Sequence, residues 1–133
     1  MSGKVEAKLR DMGIELPNAP APAANYVPFV LVDKILYVSG QISTGPNGLV
    51  CGKVGKDLTI EEGAAAARIC AINLISQVKA ACNGNLDRLS RVIKLTGFVN
   101  SNENFTEQPQ VINGASDFMA EVFGTAGQHA RAA

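Results

Sequence analysis

The chain has 133 residues, twelve basic and twelve acidic, a formal net charge of zero and a 47% hydrophobic composition. One domain of this length buries roughly two-thirds of its unfolded surface and folds without metal or disulfide staples. Balanced charge leaves no electrostatic footprint for nucleic acid or an anionic membrane, which argues against both as partners.

Cys51, Cys70 and Cys82 are odd in number and form no C-x-x-C, so neither a disulfide framework nor a zinc site is expected. Cys70 falls in a helical apolar pattern, where a free cysteine serves as a small core residue. The N-terminus carries charge without an apolar leader, and no run reaches membrane-span length. These features point to a reducing, cytoplasmic setting.

Ser2 is placed to cap a short helix over 4–12, with Val5, Leu9 and Met12 at helical spacing and Gly13 as the stop. Residues 16–28, with Pro17, Pro20, Pro22 and Pro28 among alanines, predict a stiff, extended connection. Tyr26 is its large side chain, either packing with a wet hydroxyl or covering a pocket. Two apolar runs, 29–32 and 35–41, flank Asp33-Lys34 and predict a hairpin. The second run breaks into Ser39-Gly40-Gln41, which is either a plain strand exit or a pocket floor where backbone groups and one hydroxyl meet a ligand.

Gly45-Pro46-Asn47-Gly48 is turn chemistry, with a further short strand expected over 49–51. Gly52, Gly55 and the lysines between them resemble a phosphate loop, but neither G-K-[ST] nor G-x-G-x-x-G is present. Thr59-Ile60-Glu61-Glu62 reads as a capping box opening a helix to about residue 81, ended by Asn83-Gly84. Its expected apolar face is Ile60, Ala64, Ala67, Ala71, Leu74, Ile75 and Val78. Glu61 and Glu62 could form an acid/base pair, although carboxylates in a first turn ordinarily serve cap and dipole.

Residues 91–100 alternate as a strand, with Gly97 marking a close approach to its backbone. Arg88, Arg91 and Lys94 form either a small basic patch or one side of a solvated sheet. A second helix is predicted over 108–123, with Val111, Ala115, Phe118, Met119 and Val122 buried, Asn113 off that stripe and Gly124 as the stop. The segment 127–131 then returns to extended structure.

The chemistry available is narrow. His129 is the only histidine, so a two-histidine nuclease site within one chain is excluded. No G-x-S-x-G elbow precedes it. An arginine with backbone donors and neutral polar groups remains, and a guanidinium grips a carboxylate as a fork. Arg131 is either that group or surface decoration.

Taken in order, several stretches resemble the Rid family of reactive intermediate deaminases, also called YjgF or endoribonuclease L-PSP. They are Ala24-Asn25-Tyr26, Leu36-Tyr37-Val38-Ser39-Gly40-Gln41, Asp57-Leu58-Thr59 before the alanine-rich helix, the strand 92–99, Val111-Ile112-Asn113-Gly114-Ala115, and His129-Ala130-Arg131-Ala132. The resemblance runs from about Pro20 onward and is nearest to longer variants with an N-terminal helix. It implies a single α+β domain over 1–133, with helix 4–12, the Pro/Ala segment 16–28 and a core over 29–133. The implied architecture is chorismate-mutase-like, a mixed β-sheet with two helices packed on one face, assembled as a homotrimer with clefts between subunits.

The implied activity is cofactor-free and metal-free hydrolysis of a small carboxylate-bearing imine or enamine to a 2-keto acid and ammonia. Carried over, Arg131 grips the substrate carboxylate, Tyr26 lines the pocket, Ser39 and Gly40 supply strand-end contacts, and Asn113 faces the cleft. There are two departures. The chain stops at Ala133, where the active deaminases continue into strands carrying a water-positioning glutamate, so a shortened form of a longer protein is expected. Tyr26 is also followed by Val27-Pro28 rather than a polar pair. The rival readings are a non-catalytic trimeric metabolite-binding protein and an RNA-cleaving inhibitor of translation.

Overall fold

A computed structural model of the chain describes residues 3–133, so the expected Ser2 cap lies outside the described residues. The architecture is α+β: α1 (Lys4–Asp11), β1 (Phe29–Val32), β2 (Ile35–Val38), β3 (Thr44–Gly45), β4 (Gly48–Leu49), α2 (Ile60–Ala81), β5 (Lys94–Thr96), α3 (Gln108–Phe123) and β6 (Ala130–Ala132). Among the described residues the strands form three two-stranded ladders, two antiparallel and one parallel, rather than one continuous sheet. The chain forms two compact units, Met1–Gln41 with Ile72–Ser90, and Ile42–Ala71 with Arg91–Ala133.

In the first unit, α1 begins at Gly3, which has no capping side chain. Asp87 supplies the cap from a distant 3-10 turn, accepting from the Lys4 N–H at 2.9 Å and the Val5 N–H at 3.0 Å. Glu6 answers it by accepting from the Leu86 N–H at 2.9 Å, between the buried Leu9 and Leu86. The helix stops at Met12 and Gly13, where φ turns to +73°. The Pro/Ala segment has no helix or strand of its own, as expected. It is tied down by Gln77, whose Nε2 donates to the Pro20 carbonyl at 2.8 Å.

The second half of α2 therefore departs from its expected apolar face. Ile75 is fully buried, but so is Gln77, and the polar Asn73 and Ser76 are buried too, while Leu74 and Val78 are half-buried. The amide has a carbonyl to satisfy, which makes its burial affordable. The predicted hairpin forms, with Val32 opposite Ile35 and Asp33 at φ +52° in the turn. The β2 ladder ends at Val38 instead of Gln41: Ser39 still donates its N–H to the facing Pro28 carbonyl at 2.9 Å, but Pro28 has no N–H to return, and the Ser39 hydroxyl goes to the Val27 carbonyl at 2.6 Å.

In the second unit, β3 and β4 close around Pro46-Asn47, so the strand expected over 49–51 is Gly48–Leu49. The Gly52/Gly55 loop folds inward. The N–H groups of Lys56, Asp57 and Leu58 all donate to the Lys53 carbonyl, so they cannot cradle a phosphate. The capping box is present in both directions, Thr59 N–H to Glu62 Oε1 at 3.0 Å and Glu62 N–H to Thr59 Oγ1 at 3.1 Å. Glu62 thus serves the cap.

α3 occupies the predicted span and buries Val111, Ile112, Ala115, Phe118, Met119 and Val122. It crosses the first half of α2 so closely that a Cβ on Gly114 would land on the Ala64 carbonyl oxygen. After Gly124, at φ +61°, a 3-10 turn over Gly124–Gly127 folds back onto α3, and a Cβ on Gly127 would land on the Met119 carbonyl oxygen. The chain then runs as β6 parallel to β5, with Leu95 opposite Arg131. β5 is shorter than the expected 91–100 because β6 partners only Lys94–Thr96, and Phe98 is 94% exposed. Gly97 meets the expectation of a close approach, since a Cβ there would strike the Ile112 side chain.

Backbone hydrogen bonds from Val5 and Lys4 hold the Asp87 carboxyl below its ordinary value. A carboxyl depressed in the folded state contributes stability that is full above its unfolded pKa of about 3.9 and is lost as pH falls through the folded value. Melting temperature is therefore expected to fall at acid pH, and Asp87→Asn to start lower at neutral pH and lose part of that acid limb. Two parallel curves would contradict the cap. Gly127→Ala is expected to lose about 1–3 kcal/mol in a denaturant titration through overpacking on Met119, and an unchanged midpoint would contradict that contact.

Candidate functional site

Residue alternation along β6 points Arg131 to the α3 side. Ala130 and Ala132 are exposed, whereas Arg131 is half-buried, like its ladder neighbour Leu95. On α3, Asn113 and Ser116 stand three residues apart and so share a helical face. Arg131 Nη1 donates to Asn113 Oδ1 at 2.7 Å and to Ser116 Oγ at 3.2 Å. These are its hydrogen bonds among the described residues, and no carboxylate there pairs with it. Nε and Nη2 form the uncommitted edge of the fork. Because Asn113 turns its oxygen to the guanidinium, its amide nitrogen remains a donor at an exposed position. The groups that Arg131 and Asn113 leave uncommitted are therefore donors, the complement of an anion with several acceptor oxygens.

Ser116 and His129 enter this site although neither was singled out for it in the sequence. His129 Nε2 lies 2.9 Å from Ser116 Oγ, and its Nδ1 lies 2.6 Å from the Gly127 carbonyl oxygen. The signals that could have found them are the three-residue spacing of Asn113 and Ser116 and the two-residue spacing of His129 and Arg131, which place each pair on one face.

Of the five expected site residues, the structure joins Arg131 and Asn113 in the second unit. Tyr26, Ser39 and Gly40 belong to the first. Tyr26 is 48% exposed and closes a tight turn by donating its N–H to the Ala24 carbonyl at 2.9 Å. The Ser39 hydroxyl spends its proton on Val27 and keeps acceptor capacity. A Cβ on Gly40 would meet nothing within 4 Å, and the Gly40 carbonyl accepts from Gln41 Nε2 at 3.3 Å.

Other chemistry is sparse. Burial pushes the Cys70 thiol up, and burial likewise raises Cys82 against the opposing Arg88 charge, so neither is an activated nucleophile. Among the described residues no group of three or more His, Cys, Asp or Glu could hold a metal ion. No helix among them is long and apolar enough to cross a membrane.

Comparison with known proteins agrees with this fold. The family model described as "YjgF/chorismate_mutase-like, putative endoribonuclease" matches residues 6–133. Protein TCP17 of Trypanosoma cruzi is 52% identical over 134 aligned positions, which cover 99% of this chain and 83% of that protein. The crystal structure of Atu1372 from Agrobacterium tumefaciens, of unknown function, has a TM-score of 0.88 and 47% identity, covering 97% of this chain and 78% of that one. A "putative endoribonuclease" from Shewanella oneidensis MR-1 has a TM-score of 0.92 and 38% identity, covering 97% and 85%. A match over nearly the whole chain, carried on an α+β architecture at high structural similarity, leads to one conclusion: the chain belongs to the YjgF/chorismate-mutase-like family.

Proposed function

We propose that the protein hydrolyses a small carboxylate-bearing imine, the tautomer of an enamine, to a 2-keto acid and ammonia. The observation that carries this reading is the uncommitted Nε/Nη2 edge of Arg131, a charged fork with no carboxylate of its own among the described residues. That edge takes the substrate carboxylate in two parallel hydrogen bonds, and the Asn113 amide adds a third donor. Anchoring fixes the neighbouring C=N group. Water adds to the electrophilic iminium carbon, a proton passes to nitrogen, and the C–N bond breaks to release ammonia and leave the C=O of the keto acid. Orientation supplies the acceleration, so no strong nucleophile is needed.

In this reading the clefts form between subunits of a homotrimer, where Tyr26, Ser39 and Gly40 line the remainder of the pocket. Exposed apolar side chains on the hairpin support self-association, Leu31 at 61% and Tyr37 at 60%. A second reading, a binding protein without turnover, is favoured because among the described residues no carboxylate is hydrogen-bonded to Arg131 where it could activate water. Cleavage of RNA is the less favoured reading, because charge is balanced and both nitrogens of His129 are already engaged.

The test is ammonia release from freshly generated 2-aminoacrylate. The expected result is clear acceleration over buffer, with kcat/KM falling on the order of 100-fold in Arg131→Ala and less in Arg131→Lys, which keeps charge but not the fork. Thermal stabilisation by 2-keto acids without turnover would select the binding protein instead. No acceleration and no stabilisation would remove both.

A further inference from the structure

We propose that Ser116 and His129 are positioning residues for Arg131, linked in a one-way hydrogen-bond relay that fixes which edge of the guanidinium faces the ligand. The inference extends the carboxylate-binding reading above, but its first measurements stand apart from it.

The direction of each bond follows from what each atom can do. The Gly127 carbonyl can only accept, so His129 Nδ1 carries the proton across the 2.6 Å contact. In the neutral ring Nε2 is then bare and can only accept. Ser116, 2.9 Å away, must turn its O–H toward it. With that proton committed, the serine oxygen presents lone pairs to Arg131 Nη1 at 3.2 Å, and a guanidinium can only donate. Polarity therefore runs from Arg131 through Ser116 and His129 to the Gly127 backbone. In the opposite tautomer Nε2–H would donate to Ser116, free the serine proton and remove what fixes its direction.

The consequence lies at Nη1. It has two hydrogens, and Asn113 Oδ1 and Ser116 Oγ accept one each from the same face of α3. Two acceptors on one nitrogen fix the plane of the group and consume its inner end. The outward edge is then Nε with Nη2, a pre-set fork for a planar carboxylate. Removing Ser116 leaves Nη1 on a single pivot. Removing His129 leaves Ser116 free to rotate its proton toward the guanidinium, which repels it. Neither residue touches the ligand in this scheme, and both act through Arg131.

The test uses the full chain. Nitrogen-15 correlation spectra at alkaline pH are expected to show His129 as the Nδ1–H tautomer, and an Nε2–H ring would overturn the relay. Rotation of the Arg131 guanidinium about its Nε–Cζ bond is expected to speed up in Ser116→Ala and in His129→Ala, and to return to the wild-type rate in Ser116→Thr. Unchanged rotation in Ser116→Ala, with the backbone spectrum intact, would overturn it. Ser116→Ala is further expected to weaken pyruvate binding about tenfold, the lower end of what the loss of one hydrogen bond to a charged group costs, while leaving its amide analogue unchanged. Equal weakening of both ligands would contradict a role through Arg131. If the wild-type protein neither bound pyruvate nor released ammonia from 2-aminoacrylate, the functional reading would fall, while tautomer and rotation would still decide the relay.

Discussion

The second unit depends on how closely two backbone segments approach α3. At Gly127 the 3-10 turn rests on the Met119 carbonyl, and at Gly114 the helix itself rests on the Ala64 carbonyl, with no room at either position for a Cβ. The first approach brings the chain back alongside the helix it has just left. β6 then runs parallel to β5, and residues 129 and 131 face residues 113 and 116. The second approach brings the backbones of α2 and α3 together, with Gly114 against Ala64 and Val111 against Gly63, while Phe118 and Met119 are buried further along α3. A guanidinium reaches one chosen spot on a helix because two glycines permit it.

The site that results is defined by what it lacks as much as by what it offers. Its donors are a guanidinium edge and an amide nitrogen; its one histidine is bound at both nitrogens, and the buried thiols are pushed away from thiolate. In the proposed reading such a surface holds an anion still. It suits a reaction in which the substrate brings its own electrophile and water does the bond-breaking, and it suits poorly one that needs a strong base or nucleophile.

Local signals were legible in the sequence, and long-range ones were not. The Thr59/Glu62 box, the bounds of α3, the Asp33 turn and the Gly97 approach all rest on neighbours within a few residues or on the demands of a missing side chain. Asp87 capping α1 and Gln77 holding Pro20 join positions 83 and 57 residues apart, and nothing in local pattern marks an acceptor so distant. The sequence pattern overstates β5, because alternation continues through Phe98 although its partner strand does not. For the site, elimination of other chemistry marks Arg131 and its place off the buried stripe marks Asn113, the family resemblance gives both their roles, and the structure adds their contact. Ser116 was passed over because a small polar residue on a helix has no signature of its own; only the return of the chain at Gly127 gives it partners.

The central claim is that the outward edge of Arg131 receives a carboxylate. A crystal structure of the protein with a 2-keto acid such as 2-oxobutyrate tests it most directly. The account predicts the carboxylate in a paired contact with Nε and Nη2 of Arg131, with Nη1 still on Asn113 and Ser116. A keto acid bound elsewhere, with that edge of Arg131 left to solvent, would contradict it.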